Sequence, residues 1–191
     1  LKNYGGKLTW YTASGTCGTG VQWDLVYKNG YAPLTISGSG AMTNYTADTL
    51  PWKDHINNID TFVVNAGVTS VGAFTLSNGT ALTKVTLADS VKTIGESAFY
   101  SCNSLRTLTL GNGIQTIGDK AFYNTALTSI VFPDSLKTIG QYAFYYCTKL
   151  TSLKFGNNMQ SIGYTAFASC TALETVDFGS TITTLEQSAF N

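Results

Sequence analysis

Apolar residues recur along this chain in a fixed order. A triplet of the form apolar-x-x-apolar-x-apolar opens each unit: Ile59, Phe62, Val64; Leu82, Val85, Leu87; Leu105, Leu108, Leu110; Leu127, Ile130, Phe132; Leu150, Leu153, Phe155; Leu173, Val176, Phe178. A second apolar pair follows, such as Val91 and Ile94 or Leu136 and Ile139. Then come a glycine and an Ala-Phe pair: Ala98-Phe99, Ala121-Phe122, Ala143-Phe144, Ala166-Phe167 and, after Glu186 where the glycine would stand, Ala189-Phe190. The spacing is 23 residues, with one copy of 22. Alternation of period two in the triplet predicts a strand with one side facing inward. The pair before the glycine predicts a second short strand, and the glycine a sharp bend or a positive φ. The segment "ESAFYSC", polar and then apolar, predicts about one helical turn, with Glu96 at its start as a cap. In the first unit the letters "GAF" fall out of phase. Counting 23 residues back from Ala98-Phe99 reaches Thr75-Leu76, so Leu76 is the expected core residue and Ala73-Phe74 a coincidence.

One such coil cannot bury its own apolar face, so coils must stack. A period of 20 to 29 residues with this triplet is the leucine-rich-repeat pattern. The fold class is therefore a leucine-rich-repeat solenoid of the α/β superhelix class, β-rich with short helical turns. It has about six coils, at 59–81, 82–104, 105–126, 127–149, 150–172 and a partial 173–191. Residues 1–58 do not follow the repeat and hold all three tryptophans, Trp10, Trp23 and Trp52. They read as a β-rich N-terminal cap. "VQWDLVYKNGYAPLTIS" predicts a hairpin about Lys28-Asn29-Gly30, and "LPWKDHINNI" a short helix begun by Pro51. Cap packing is the simpler use of the tryptophans, with a sugar-binding platform as the other use.

The Ala-Phe signature with "SVKTIG" and the recurring Cys after "FY" resembles the BspA-like (type 5, treponemal) leucine-rich repeats of bacterial surface proteins. The likeness covers residues 59–191, and "SGTCG", "LTISGSGAM" and "GVTSVG" resemble the segment that precedes such repeats. The resemblance implies an extracellular or cell-surface, non-catalytic module for adhesion. Its implied partners are a host matrix or cell-surface protein, or a glycan. A structural spacer displaying other domains is the alternative, and the non-catalytic arm of a surface enzyme a remote one.

Composition narrows this further. Eleven basic and eleven acidic residues cancel, so no net field draws the chain to nucleic acid or anionic lipid. No apolar run approaches the ~20 residues of a membrane helix, so no direct membrane insertion is expected. Leu1 follows no visible signal, and the chain stops within a repeat, as an excised piece of a longer protein would. The last coil lacks a cap, and an open coil edge is a template for pairing.

A single histidine, His55, leaves no Ser-His-Asp scheme and no multi-His metal site. His55 reads as a surface residue of the cap. Glu96 and Asp119 share a column, but a stacked column is not the cleft a glycosidase requires. No phosphate loop or dinucleotide fingerprint occurs, so no enzyme, metal or cofactor is expected. Cys102, Cys147 and Cys170 share one position in three units and predict a buried, reduced column. A bridge between Cys147 and Cys170, in adjacent coils, is the other reading.

Two surface stripes are candidates for binding. One lies on the opening strands and includes Thr86, Thr107, Thr109 and Lys154, where β-propensity and solubility also explain the residue types. The Thr-x-Thr pattern of an ice-ordering array is clean only at Thr107 and Thr109. The other stripe follows the core Phe: Tyr100, Tyr123 and Tyr145, with Tyr142, Tyr146 and Tyr164. The three in register also read as shields for the Phe column. Tyr142, Tyr146 and Tyr164 break register and are the better binding candidates, because tyrosine offers a stiff apolar face with a polar tip.

Overall fold

A computed structural model describes residues 3–4, 7–8, 10–28 and 31–191. Asn29 and Gly30, the tip of the expected hairpin, and the Trp10 side chain lie outside the described residues. The chain begins with β1 (Asn3–Tyr4), β2 (Lys7–Leu8), β3 (Trp10–Gly18), β4 (Val21–Lys28), β5 (Pro33–Gly38) and β6 (Gly40–Ala41). A 3-10 turn spans Lys53–His55, immediately after Pro51 and Trp52. The repeats then supply strands in pairs: β7 (Thr61–Val64) and β8 (Val68–Val71), β9 (Lys84–Leu87) and β10 (Thr93–Ile94), β11 (Thr107–Thr109) and β12 (Thr116–Ile117). The later pairs are β13 (Ser129–Val131) and β14 (Thr138–Ile139), β15 (Ser152–Lys154) and β16 (Ser161–Ile162), β17 (Thr175–Asp177) and β18 (Thr184–Leu185).

Each pair contributes one strand to each of two parallel stacks. The second strands form a continuous sheet in the order β18-β16-β14-β12-β10-β8-β6. The first strands do not. β11-β9-β7-β5-β4-β3 form one sheet and β13-β15-β17 another. The break follows the one 22-residue coil, where four residues instead of five separate the core Phe from the next leucine (Phe122 to Leu127 against Phe99 to Leu105). One residue fewer displaces the following strand from its ladder.

The N-terminal segment joins these stacks directly. β4 pairs antiparallel with β3 and with β5, and β5 lies parallel to β7 with Leu34 beside Phe62 and Ile36 beside Val64. Trp23 and Trp52 are buried, edge to face at 5.7 Å, and Trp52 Nε1 donates to the Thr75 carbonyl at 2.8 Å. The two rings thus close the apolar end of the first coil, and neither presents a sugar-binding platform. His55 is half-buried, not free on the surface: its Nδ1 lies 2.7 Å from the Tyr11 hydroxyl.

The core is built of two phenylalanine ladders. Phe99, Phe122, Phe144, Phe167 and Phe190 stack at 5.0–5.1 Å. Phe132, Phe155 and Phe178 stack beside them at 5.0 and 5.8 Å, and Phe155 meets Phe167 edge-on at 88°. Along the first ladder the ring spacing is close to the ~4.8 Å spacing of strands, so the stacking of coils sets both, and each stacked pair adds about 0.5–1.5 kcal/mol beyond area burial. Leu76 is fully buried and its N–H donates to Ala98 O, one coil along, as the period requires. Phe74 instead takes a left-handed φ of 57°.

The Ala-Phe segment is not helical, contrary to the sequence expectation, and Glu96 has no helix to cap. Ala98, Tyr100 and Cys102 donate three residues back within their own coil, to Gly95, Ser97 and Phe99. The residues between, Ser97, Phe99 and Ser101, donate to Asp119, Ala121 and Tyr123 of the next coil at 2.7–2.9 Å. A helix would consume every N–H locally; here alternate N–H groups are given to the neighbour, a third ladder between coils. The alternation is achieved by two left-handed residues per coil, Ser97 and Ser101, then Lys120 and Asn124, Tyr142 and Tyr146, Thr165 and Ser169. The glycine before them does not have a positive φ. A Cβ on Gly95 would sit 2.6 Å from Ala73 N and 2.8 Å from Gly72 C, so glycine is required for close approach of two backbones.

Candidate functional site

The left-handed turns decide which side chains project along one edge of the solenoid. Four columns stand there, and the six candidate tyrosines fall within them. Tyr100, Tyr123 and Tyr145 stack in register at 4.7 and 5.1 Å. The next coil carries Ala168 in that column, and Tyr146, from the neighbouring left-handed column, lies near-parallel to Tyr145 at 6.3 Å. Tyr142, from the other left-handed column, meets Tyr145 edge-on at 5.8 Å and Tyr164 at 5.5 Å. All six rings therefore form one connected belt. Tyr146 and Tyr164 are its most open members, 51% and 39% exposed, and the other four are half-buried.

Electrostatically the belt is quiet. Burial, and then the neighbouring Tyr100 and Tyr145 phenols, raise the Tyr123 pKa above its ordinary value, so its hydroxyl stays neutral at physiological pH. Below the belt, the cysteine column is buried and reduced. Cys102 Sγ donates to the Leu76 carbonyl at 3.0 Å, Cys147 to Phe122 and Cys170 to Phe144 at 3.3 Å. Thr125 replaces Cys in the short coil and lies 3.2 Å from Cys147 Sγ. Each side chain thus ties the end of one turn to the turn before it. Burial pushes the Cys102 thiol up to about 12, and the hydrogen bond to Cys147 together with burial pushes Cys170 up as well.

The strand-face candidates lie apart from the belt. Thr86 pairs with Thr109, and Thr107 with Lys84, across β9 and β11. The sheet break then separates them from Lys154 on β15, so the expected stripe is two pieces. Lys154 is committed to Asp177 at 3.6 Å, an exposed pair that adds little stability.

Sequence reasoning passed over two features. Ser70, Thr93, Thr116, Thr138, Ser161 and Thr184 form an in-register column on the continuous sheet. Its signal was present: a hydroxyl residue precedes the inward apolar residue in every coil. The second is Thr165, whose buried Oγ1 has no hydrogen-bond partner. No pattern of letters shows an unsatisfied hydroxyl. Beside the second sheet, a polar cleft of about 310 Å³ is lined by Asp134, Lys137, Gln160 and Thr183. Asp134 Oδ1 there already accepts from the Asn157 N–H. Among the described residues, no three His, Cys, Asp or Glu side chains gather as a metal site.

No curated protein matches the chain significantly. Solved structures do. A leucine-rich repeat protein from Eubacterium ventriosum is 25% identical, with a TM-score of 0.69 over 93% of this chain and 45% of that one. The T. pallidum leucine-rich repeat protein is 20% identical with a TM-score of 0.53, over 79% of this chain and 78% of that one. The pneumococcal vaccine antigen PcpA is 18% identical with a TM-score of 0.51, over 92% of this chain and 50% of that one. The chain thus spans less than half the length of the E. ventriosum protein. The BspA-type leucine-rich repeat region matches residues 69–191 in six copies. With its Ala-Phe turns, parallel strand stacks and phenylalanine ladders in register, the chain belongs to the BspA-type leucine-rich repeat family.

Proposed function

We propose that this protein is an extracellular, non-catalytic adhesion module that binds a host matrix or cell-surface protein, or a glycan, through its tyrosine edge. One observation carries the reading: six tyrosines from four successive coils form a connected aromatic belt on the surface. Two of them, Tyr142 and Tyr146, occupy left-handed positions where the other coils carry Ser, Asn, Lys or Thr, apart from the ring of Phe74 in the first coil. A bulky ring at positive φ costs backbone energy, and Tyr146 recovers little of it by burial, being half exposed. Exposed, stiff rings are a common means of recognition. The similarity to a pneumococcal vaccine antigen supports a surface location.

The test is binding of the purified chain to immobilised matrix proteins and glycans, beside a variant with Tyr142, Tyr146 and Tyr164 changed to Ser and checked for fold by circular dichroism. Saturable binding that the folded variant loses is the expected result. Binding that the variant keeps moves the site to the strand face or the cap. No binding to any surface overturns the adhesion reading in favour of a spacer.

A further inference from the structure

The belt is not uniform along its length. Between Tyr100 and Tyr145 the rings lie face to face, so the inner faces are covered and only edges and hydroxyls reach solvent. A ligand that packs flat against an aromatic face must find the end of a stack. That end is Tyr146. Ala168, buried, leaves the column without a ring in the next coil, and Tyr146 extends the stack over one side only. Among the described residues no further ring packs against Tyr146, which is half exposed. The Tyr142–Tyr164 pair, at 80°, stands beside it and turns Tyr164 across the direction of the stack.

The surrounding chemistry changes at the same place. In the earlier coils, the columns flanking the rings carry Glu96, Asp119 and Lys120. In the later coils, the same columns carry Gln141, Thr165, Ser169, Gln187 and Ser188, with no charge. Thr165 shares the column of Tyr142 and directly follows Tyr164. Its Oγ1 is the unsatisfied hydroxyl described above, a side chain only 9% exposed. A buried hydroxyl without a partner costs stability, and Thr165 Oγ1, closed to solvent, is such a cost at this end of the solenoid.

We propose that the Tyr146 end of the belt is a subsite for a neutral pyranose of a glycan. The apolar C–H face of the sugar packs on the free face of Tyr146. Its hydroxyls bond the surrounding amides and hydroxyls. A polyanion, whether nucleic acid or sulfated glycan, is disfavoured because the columns flanking Tyr146 carry no cation and the exposed Lys149, three residues on, is a single charge. The inference rests on reading the belt as a binding surface and adds the class of ligand and the ring that receives it.

The experiment titrates the intact chain with neutral hexasaccharides of glucose, mannose, xylose and N-acetylglucosamine, and with a heparin hexasaccharide as the charged control. Ring resonances of Tyr146 and Tyr164 are followed by NMR. At least one neutral sugar is expected to shift both, with its own C–H protons moving upfield. Tyr146→Ala should weaken that sugar by about tenfold, while Lys92→Ala, exposed beside β10, leaves it unchanged. Thr165→Val, which removes the orphan hydroxyl at nearly constant shape, should fold at least as stably as the parent and bind the sugar unchanged. Preference for heparin, binding indifferent to Tyr146→Ala, or no shift with any neutral sugar overturns the proposal. The matrix panel separates the two failures. Surfaces that bind the chain equally before and after enzymatic deglycosylation sink the sugar inference and leave the adhesion reading standing. Surfaces that never bind it sink both.

Discussion

Tyr146 and Thr165 show what a left-handed backbone position does to a side chain. Every coil needs two such positions, and the chain fills them with Phe, Asn, Ser, Lys, Tyr and Thr and not with Gly. The sequence offered a glycine four residues before the core Phe, and that glycine serves close packing instead. The left-handed residues were therefore invisible: nothing in "ESAFYSC" distinguishes them from helix formers. The cysteines were legible, because one position recurring in three coils reads as a column, and the column is buried and reduced. Their burial has a pH consequence. Cys102 is raised from 9 to about 12 and Cys17 to about 11, so the folded state keeps protons that the unfolded state releases above pH 9. Stability from these thiols is complete below pH 9 and is lost as pH rises from 9 towards 12. Urea midpoints at pH 7, 9 and 10.5 should stay level over the first interval and fall over the second. A Cys102→Ala variant should fall less steeply; an equal slope would remove Cys102 as a source.

At the level of the coil, the strands were readable because period-two alternation is a local property, and each L-x-L triplet became a strand or lies beside one. The turn was not readable, because its structure is decided by the next coil. "SAF" has adequate helix propensity, yet Ser97, Phe99 and Ser101 give their N–H groups to Asp119, Ala121 and Tyr123. Propensity yields where a neighbouring chain offers the same bonds together with phenylalanine stacking. The break in the first sheet has an equally local cause. The coil 105–126 is one residue short between Phe122 and Leu127, and β11 and β13 fail to pair. Inserting Asn between Thr125 and Ala126 restores the 23-residue spacing. The expected outcome is pairing of β13 with β11, read as slower amide exchange across residues 129–131 and a higher thermal midpoint. Unchanged exchange in a folded variant would trace the break to some other feature of the two coils.

Over the whole molecule, the tyrosine belt and the opening-strand face follow different columns of the same coils, so the protein carries two separable surfaces. The charges are distributed unevenly between them. Lys84, Lys154 and Asp177 stand on the strand face, whereas the belt from Gln141 onward is uncharged. Eleven acidic and eleven basic residues leave no net field to steer a partner. Salt therefore separates the two surfaces as binding sites. Between about 0.05 and 0.5 M salt the screening length falls from roughly 14 to 4 Å, so contacts made through exposed lysines weaken markedly. A neutral ligand stacked on Tyr146 releases no counterions and keeps its affinity. Binding of the intact chain to its best surface should vary by less than about twofold over this range. It should also persist when Thr86, Thr107, Thr109 and Lys154 are changed together to Ala. A loss of about tenfold or more with salt, restored by lowering it again, would place the contact on charged residues and draw the site away from the tyrosine edge.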